Sequence, residues 1–131
     1  LERAAAEIGM PYRAVTTIEE AVRSASVGTE RALGRSNPAS LTLSVHNDLT
    51  AINLITALRA AGLTPGADVD VVSYDDTHMA AVPEFSLTSV SQDSPALASR
   101  SVELLVSHLE NPGRRGKEVV IEPSLTIRAS G

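Results

Sequence analysis

At 131 residues the chain suits one domain and is long enough to bury a core. Its net charge of −5 argues against a surface that tracks a phosphate backbone, because nucleic-acid affinity rests on clustered Lys and Arg. It has no cysteine, hence no disulfide framework and no thiolate metal site, and no window approaches the roughly 18 apolar residues of a membrane span.

The start, Leu-Glu-Arg-Ala-Ala-Ala-Glu, has neither an initiator Met nor a signal-peptide pattern and reads as the middle of a helix. The chain is therefore expected to be a piece of a longer protein. Residues 1–8 favour helix and stop at Gly9 and Pro11. Tyr12 to Thr16 can form a short strand. Thr17 then offers an N-cap, with Glu20 at capping-box spacing, to a helix ending near Leu33 and Gly34. Ser36-Asn37-Pro38 reads as a turn before an apolar strand at 41–45.

The next helix, 48–62, is the best defined. Leu49, Ile52 and Ile55 mark one face and Leu54, Ala57 and Ala61 another, with Gly62 closing it and Pro65 beyond. A helix apolar on two faces packs on its sheet and on something else, either a second subunit or another part of the same protein. A second apolar strand comes next at 69–74, and an alternating strand at 86–91. Pro95 suits the first turn of a helix over 95–111, stopped by Asn111-Pro112-Gly113. Arg114-Arg115 with Lys117 reads as a solvated loop. Glu118 to Ile127 forms a final extended segment broken by Pro123. Since only Tyr12, Tyr74 and Phe85 are aromatic, the core comes from Ala, Val, Leu and Ile. The order is that of an α/β protein with a mostly parallel sheet flanked by helices.

The chemistry collects where strands end. In an open parallel sheet, small ligands bind beyond the carboxyl ends of the strands. His46-Asn47-Asp48 succeeds one strand and Asp75-Asp76 the next. The Asn47 amide suits a sugar hydroxyl that both donates and accepts, and it equally suits a helix cap. One division of roles has Asp48 capping while Asn47 faces the crevice. Asp75 and Asp76 form either a turn or a carboxylate that accepts from vicinal hydroxyls, with Asp75, nearer the strand, the better candidate. Asp75, Asp76 and His78 raise a metal site, but no second His stands at helical spacing, so none is expected. There is no nucleophile elbow, Gly-rich phosphate loop or convincing acid–base pair. The chain is not expected to be an enzyme or to need a cofactor.

Several runs in register carry a more specific signal. Val45-His46-Asn47-Asp48-Leu49-Thr50-Ala51 resembles the "aNDlmA" segment of the lactose-repressor (LacI/GalR) family of bacterial transcription regulators. Ala57 to Leu63, Pro65 and Asp68 to Asp76 resemble that family as well. Leu87 to Gln92 is similar to its "LTTvrQ", and Leu125 to Ser130 to its closing "LvvReS". The agreement spans roughly residues 40–131.

The resemblance implies the C-terminal part of a periplasmic-binding-protein-like effector domain, lacking its first lobe and one central strand. Residues 1–91 would form the C-terminal lobe, 92–121 a crossing strand and a helix packing on the missing lobe, and 122–131 a return segment. Asn47 and Asp75 would contact a small polar effector, a sugar or nucleobase, with Gln92 nearby at the interlobe crossing. Asp48 and Asp76 would be helix caps or second-tier ligands. Ser73 stands where the family usually has glycine, which is expected to narrow the pocket wall. Ser94 stands where some relatives place an aromatic. The 48–62 helix would contribute to a homodimer, and operator DNA would be met only through a helix-turn-helix absent here. The implied protein is a cytoplasmic regulator with no membrane contact. The rival readings are a secreted sugar-binding protein of the same fold and, behind it, an Asp-based phospho-receiver or enzyme using Asp75.

Overall fold

Residues 2–33, 41–113 and 116–131 are described in a computed structural model. The expected helix stop at Gly34, the turn at Ser36-Asn37-Pro38 and the Arg114-Arg115 pair lie outside them. The described elements are helices α1 (Glu2–Glu7), α2 (Ile18–Leu33), α3 (Asp48–Ala60) and α4 (Ser94–Glu110), and strands β1 (Thr42–Ser44), β2 (Asp70–Tyr74), β3 (Thr88–Ser91) and β4 (Ser124–Thr126).

The strands form one sheet in the order β1-β2-β3-β4. β1 and β2 pair in parallel with Leu43 opposite Val71, and β2 and β3 in parallel with Ser73 opposite Ser89. β4 returns antiparallel, placing Ser124 opposite Ser91. Three consecutive strands therefore end on the same side of the domain and bring the residues just past them onto one rim.

Local chemistry explains the helices. Thr17 Oγ1 accepts from the Glu20 amide at 3.1 Å, and the Glu20 carboxylate accepts from the Thr16 amide at 3.3 Å. This is the expected capping arrangement, displaced by one residue on the return side. α3 buries Ala51, Leu54, Ile55 and Leu58 and packs against both β2 and α2. Ile55, Leu58, Val69, Val71 and Leu87 are at most 1 % exposed and form the centre of the core. Each such side chain contributes about 1.5–3 kcal/mol through burial.

Two expected strands differ from the observed chain. Residues 12–16 form no strand. A strand exists only through pairing, and a cleft of about 700 Å³ separates this segment from the free edge of β1. Val15, Ile18, Leu43 and Val72 line that cleft, making it mostly apolar. The final extended segment is also shorter than expected, since only Ser124–Thr126 pair after Pro123. α4 forms as expected but buries none of its residues, and Val102, Leu105 and Leu109 stand 58–68 % exposed.

The C-terminal residues are stitched beneath the sheet. Ser130 Oγ accepts from the Thr88 amide at 2.8 Å and donates to the Val71 carbonyl at 2.7 Å. The Val71 amide in turn donates to the Ser130 carbonyl at 2.6 Å. This tail passes so close to Gly66 that a Cβ there would lie 1.9 Å from the Ala129 carbonyl oxygen. Gly62 shares Gly66's φ of +80° but faces open space. Gly66→Ala is therefore expected to cost about 2–4 kcal/mol, against about 1–2 kcal/mol for Gly62→Ala. Urea unfolding of the two variants checks this, and equal losses would remove the tail contact as the cause.

Candidate functional site

The polypeptide leaves β1 through Val45, whose amide still donates to the Val72 carbonyl at 2.8 Å. Asn47 then turns the chain into α3, its side-chain Oδ1 accepting from the Thr50 amide at 2.8 Å. Of the two possible caps, Asn47 is the one used and Asp48 is not, which excludes the division of roles with Asp48 capping. The cap residue must keep an extended backbone while its oxygen reaches the third helical amide, and Asn47 meets that geometry. Its Nδ2 donates to no partner among the described residues, so half of the amide remains free for a ligand.

Asp48, one residue into the helix, points inward and is 2 % exposed. Its Oδ1 accepts from the hydroxyls of Ser73 and Ser89, the latter at 2.7 Å. Its Oδ2 accepts from the Thr77 amide at 2.7 Å and the Thr77 hydroxyl at 2.8 Å. Burial opposes ionisation of this carboxyl. The hydroxyls of Ser73 and Ser89 and the amide and hydroxyl of Thr77 outweigh that burial and hold the carboxyl below the ordinary aspartate range. The positive end of α3 favours the same charged form. Ser73 thus turns its hydroxyl onto Asp48.

Beyond β2 the chain makes two consecutive left-handed residues, Asp75 at φ 112° and Asp76 at φ 47°. Neither is glycine, and such backbone costs about 1–3 kcal/mol per residue. The Asp75 amide donates to the Val90 carbonyl at 2.9 Å. The Asp76 amide donates to Ser89 Oγ at 3.0 Å.

The two side chains meet different fates. Asp76 caps no helix. It lies 2.7 Å from Arg128 Nη2 and accepts from Thr126 Oγ1 at 3.0 Å. Both members of this ion pair are less than a fifth exposed, and Arg128 Nη1 also donates to the Leu87 carbonyl at 2.6 Å. Asp75 is half-buried and accepts from Gln92 Nε2 at 3.1 Å through Oδ1. Its Oδ2 accepts no hydrogen bond among the described residues.

Asn47, Asp75 and Gln92 thus lie just past the ends of three neighbouring parallel strands, with Asp75 and Gln92 in direct contact. What they present is a free amide donor, a carboxylate oxygen and a second amide on one rim. That set suits a molecule rich in hydroxyl groups. The apolar cleft on the β1 edge is a different place. His46 and Tyr74 border it, but Asn47, Asp75 and Gln92 do not. We place the candidate site at the strand ends because a carboxylate and two amides meet there, whereas the cleft wall carries hydroxyls and His46 but no carboxylate or amide side chain. His78 is exposed, and among the described residues no three metal-binding side chains gather.

Sequence reasoning did not anticipate Thr77, Ser89, Thr126 and Arg128. A signal for Ser89 exists, since a hydroxyl residue at an inward strand position needs a partner, and the acid opening α3 was available. Arg128 offered none, because it lies 52 positions beyond its partner, counting from Asp76 to Arg128.

The chain matches the periplasmic binding protein-like domain over residues 1–131. It is 33 % identical over 84 residues to an uncharacterised HTH-type transcriptional regulator in the aml 5' region of Streptomyces limosus, covering 64 % of this chain and 24 % of that protein. Among solved structures it is similar to the transcriptional regulator CelR–cellobiose complex, at TM-score 0.72 and 27 % identity, over 98 % of this chain and 40 % of that one. It is also similar to the Lac repressor bound to ONPG, at TM-score 0.63 and 28 % identity, over 84 % of this chain and 33 % of that one. The chain spans about a quarter of the length of the curated relatives it matches.

The lowered Asp48 carboxyl sets a pH dependence. Its folded form titrates below the unfolded one, so its contribution is complete above the ordinary aspartate range and is lost as pH falls through the folded value. Asp48→Asn is therefore expected to flatten the decline in urea midpoint below about pH 4 while lowering the midpoint at neutral pH. A variant that falls as steeply as the wild type would locate the acid sensitivity elsewhere.

Proposed function

Because the chain belongs to the periplasmic binding protein-like domain family, in the form carried by LacI/GalR regulators, we propose that it is the ligand-sensing part of a bacterial transcription regulator. A small polar effector, a sugar in this reading, binds at the rim formed by Asn47, Asp75 and Gln92. The observation that carries the reading is the one carboxylate oxygen left open there. Asp48 is engaged by donors on both oxygens and the buried Asp76 carboxylate is ion-paired to Arg128 and bonded by Thr126, whereas the half-buried Asp75 keeps Oδ2 without a donor among the described residues. The likeness to a regulator solved with cellobiose supports a carbohydrate as the ligand class.

In the longer protein, residues 1–91 form one lobe, 92–121 cross to the other and pack on it, and 122–131 return. The exposed apolar face of α4 supports this division, because a face of that kind calls for a covering surface. The strand expected ahead of α1 would fill the apolar cleft on the free edge of β1. Leu49, 72 % exposed on α3, supports a homodimer contact along the 48–62 helix. Operator DNA would be held by a helix-turn-helix in another part of the protein, and the regulator would work in the cytoplasm. Effector binding shifts the populations of lobe orientations and so changes operator affinity. No chemical step is assigned to these residues.

Calorimetry on the full-length protein with cellobiose, maltose and ribose tests the site. Against whichever sugar binds, Asp75→Asn is expected to weaken affinity by about 1.5–3 kcal/mol, roughly 10- to 150-fold, the scale of a hydrogen bond to a charged group. Unchanged affinity would remove Asp75 from the site.

A further inference from the structure

We propose that Asp48 is the positioning residue of the site, a buried anion that holds the Asp75–Thr77 turn and thereby aims the Asp75 carboxylate. The proposal rests on the reading that Asp75 takes the ligand, and it adds the group through which that aim is set. At 2 % exposure Asp48 cannot itself meet a ligand.

The turn needs such an anchor. Two consecutive left-handed residues without glycine persist only where the surroundings over-determine them. Here the restraints converge on one carboxylate. Thr77 reaches Asp48 Oδ2 through both its amide, at 2.7 Å, and its hydroxyl, at 2.8 Å. The Asp76 amide reaches Asp48 in two steps, donating to Ser89 Oγ at 3.0 Å, whose hydroxyl donates to Asp48 Oδ1 at 2.7 Å. Ser73, the last buried residue of β2, donates to the same oxygen. The strand before Asp75 and the two residues after it are thus tied to α3, while the Asp75 amide is tied to Val90 on β3.

The charge matters as much as the shape. Four donors meet two oxygens, which an ionised carboxylate satisfies with all its lone pairs accepting. An asparagine of the same size offers one oxygen and presents its own donors to the other half, setting an NH2 group against either the Ser73 and Ser89 hydroxyls or the Thr77 amide and hydroxyl.

The test is amide hydrogen exchange on the ligand-free full-length protein, then titration with cellobiose, maltose and ribose. Asp48→Asn is expected to speed exchange at the Asp76 and Thr77 amides by at least about tenfold more than at the Val71 and Leu87 amides, whose rise follows only the loss of global stability. Against the sugar that the wild type binds, affinity is expected to fall by at least about tenfold although Asp48 never touches it. Thr77→Ala keeps the buried charge and removes one donor, so it is expected to fold and to show a smaller change of the same kind.

Unchanged exchange at Asp76 and Thr77 overturns the proposal. So does a uniform rise that includes Val71 and Leu87, which marks a merely structural residue. Faster local exchange with undiminished sugar affinity overturns it as well. If Asp48→Asn fails to fold, Thr77→Ala and Ser73→Ala carry the comparison, and wild-type exchange and affinity in both overturn it. A wild type that binds none of the sugars refutes the functional reading, while the exchange pattern still decides the anchoring.

Discussion

A carboxylate sealed beneath the ends of two strands is the constraint on which the rest of this architecture depends. Asp48 enters the fold on the first turn of α3, where the helix terminus favours negative charge. It reaches across to β2, β3 and the Asp75–Thr77 turn that leaves β2. Without acceptors at that point, the buried Ser73 and Ser89 hydroxyls could not both be paired and the Thr77 amide and hydroxyl would lose their partner, and each buried unpaired group costs about 1–3 kcal/mol. The anion converts that liability into a rigid junction between helix and sheet.

The junction sorts three acids into three tasks. Asp48 is consumed by internal donors. Asp76 is neutralised by Arg128, which arrives from the return segment after β4 and brings Thr126 with it. Asp75 stands between them with one oxygen on Gln92 and one open. Three carboxylates within a few residues of two strand ends would repel one another if all faced one pocket. Pairing one with a cation and surrounding another with hydrogen bonds leaves a single exposed charge. Both segments that lead to and from α4 contact this acid pair, Gln92 on Asp75 and Thr126 on Asp76. The site is therefore mechanically joined to the segments that lead to and from α4.

Elements with strong local signals were legible from residues alone. The periodicity of α3, the capping spacing at Thr17 and Glu20, and the apolar runs of β1 and β2 all correspond to observed elements. The segment 12–16 carries a strand-like pattern and forms none, because pairing is a property of a neighbour that local sequence cannot supply. The sequence leaves the cap open between Asn47 and Asp48, since both side chains cap well and only burial separates them. Asp48 lies over Ser73 and Ser89, and that vertical contact joins residues 25 and 41 positions apart. Ser73 illustrates the same limit, for nothing near it in sequence signals that its hydroxyl pairs with Asp48 inside the core. Contacts of this range are set by strand order and register, which the pattern of a single segment does not encode.

The central claim is that Asp75, aimed from below by Asp48, grips a hydroxylated ligand at the ends of three parallel strands. A crystal structure of the full-length protein grown with the sugar it binds tests this most directly. The account predicts sugar hydroxyls within hydrogen-bond distance of Asp75, with Thr77 still closed on Asp48. A sugar seated away from Asn47, Asp75 and Gln92, with the Asp75 carboxylate touching only Gln92, would contradict it.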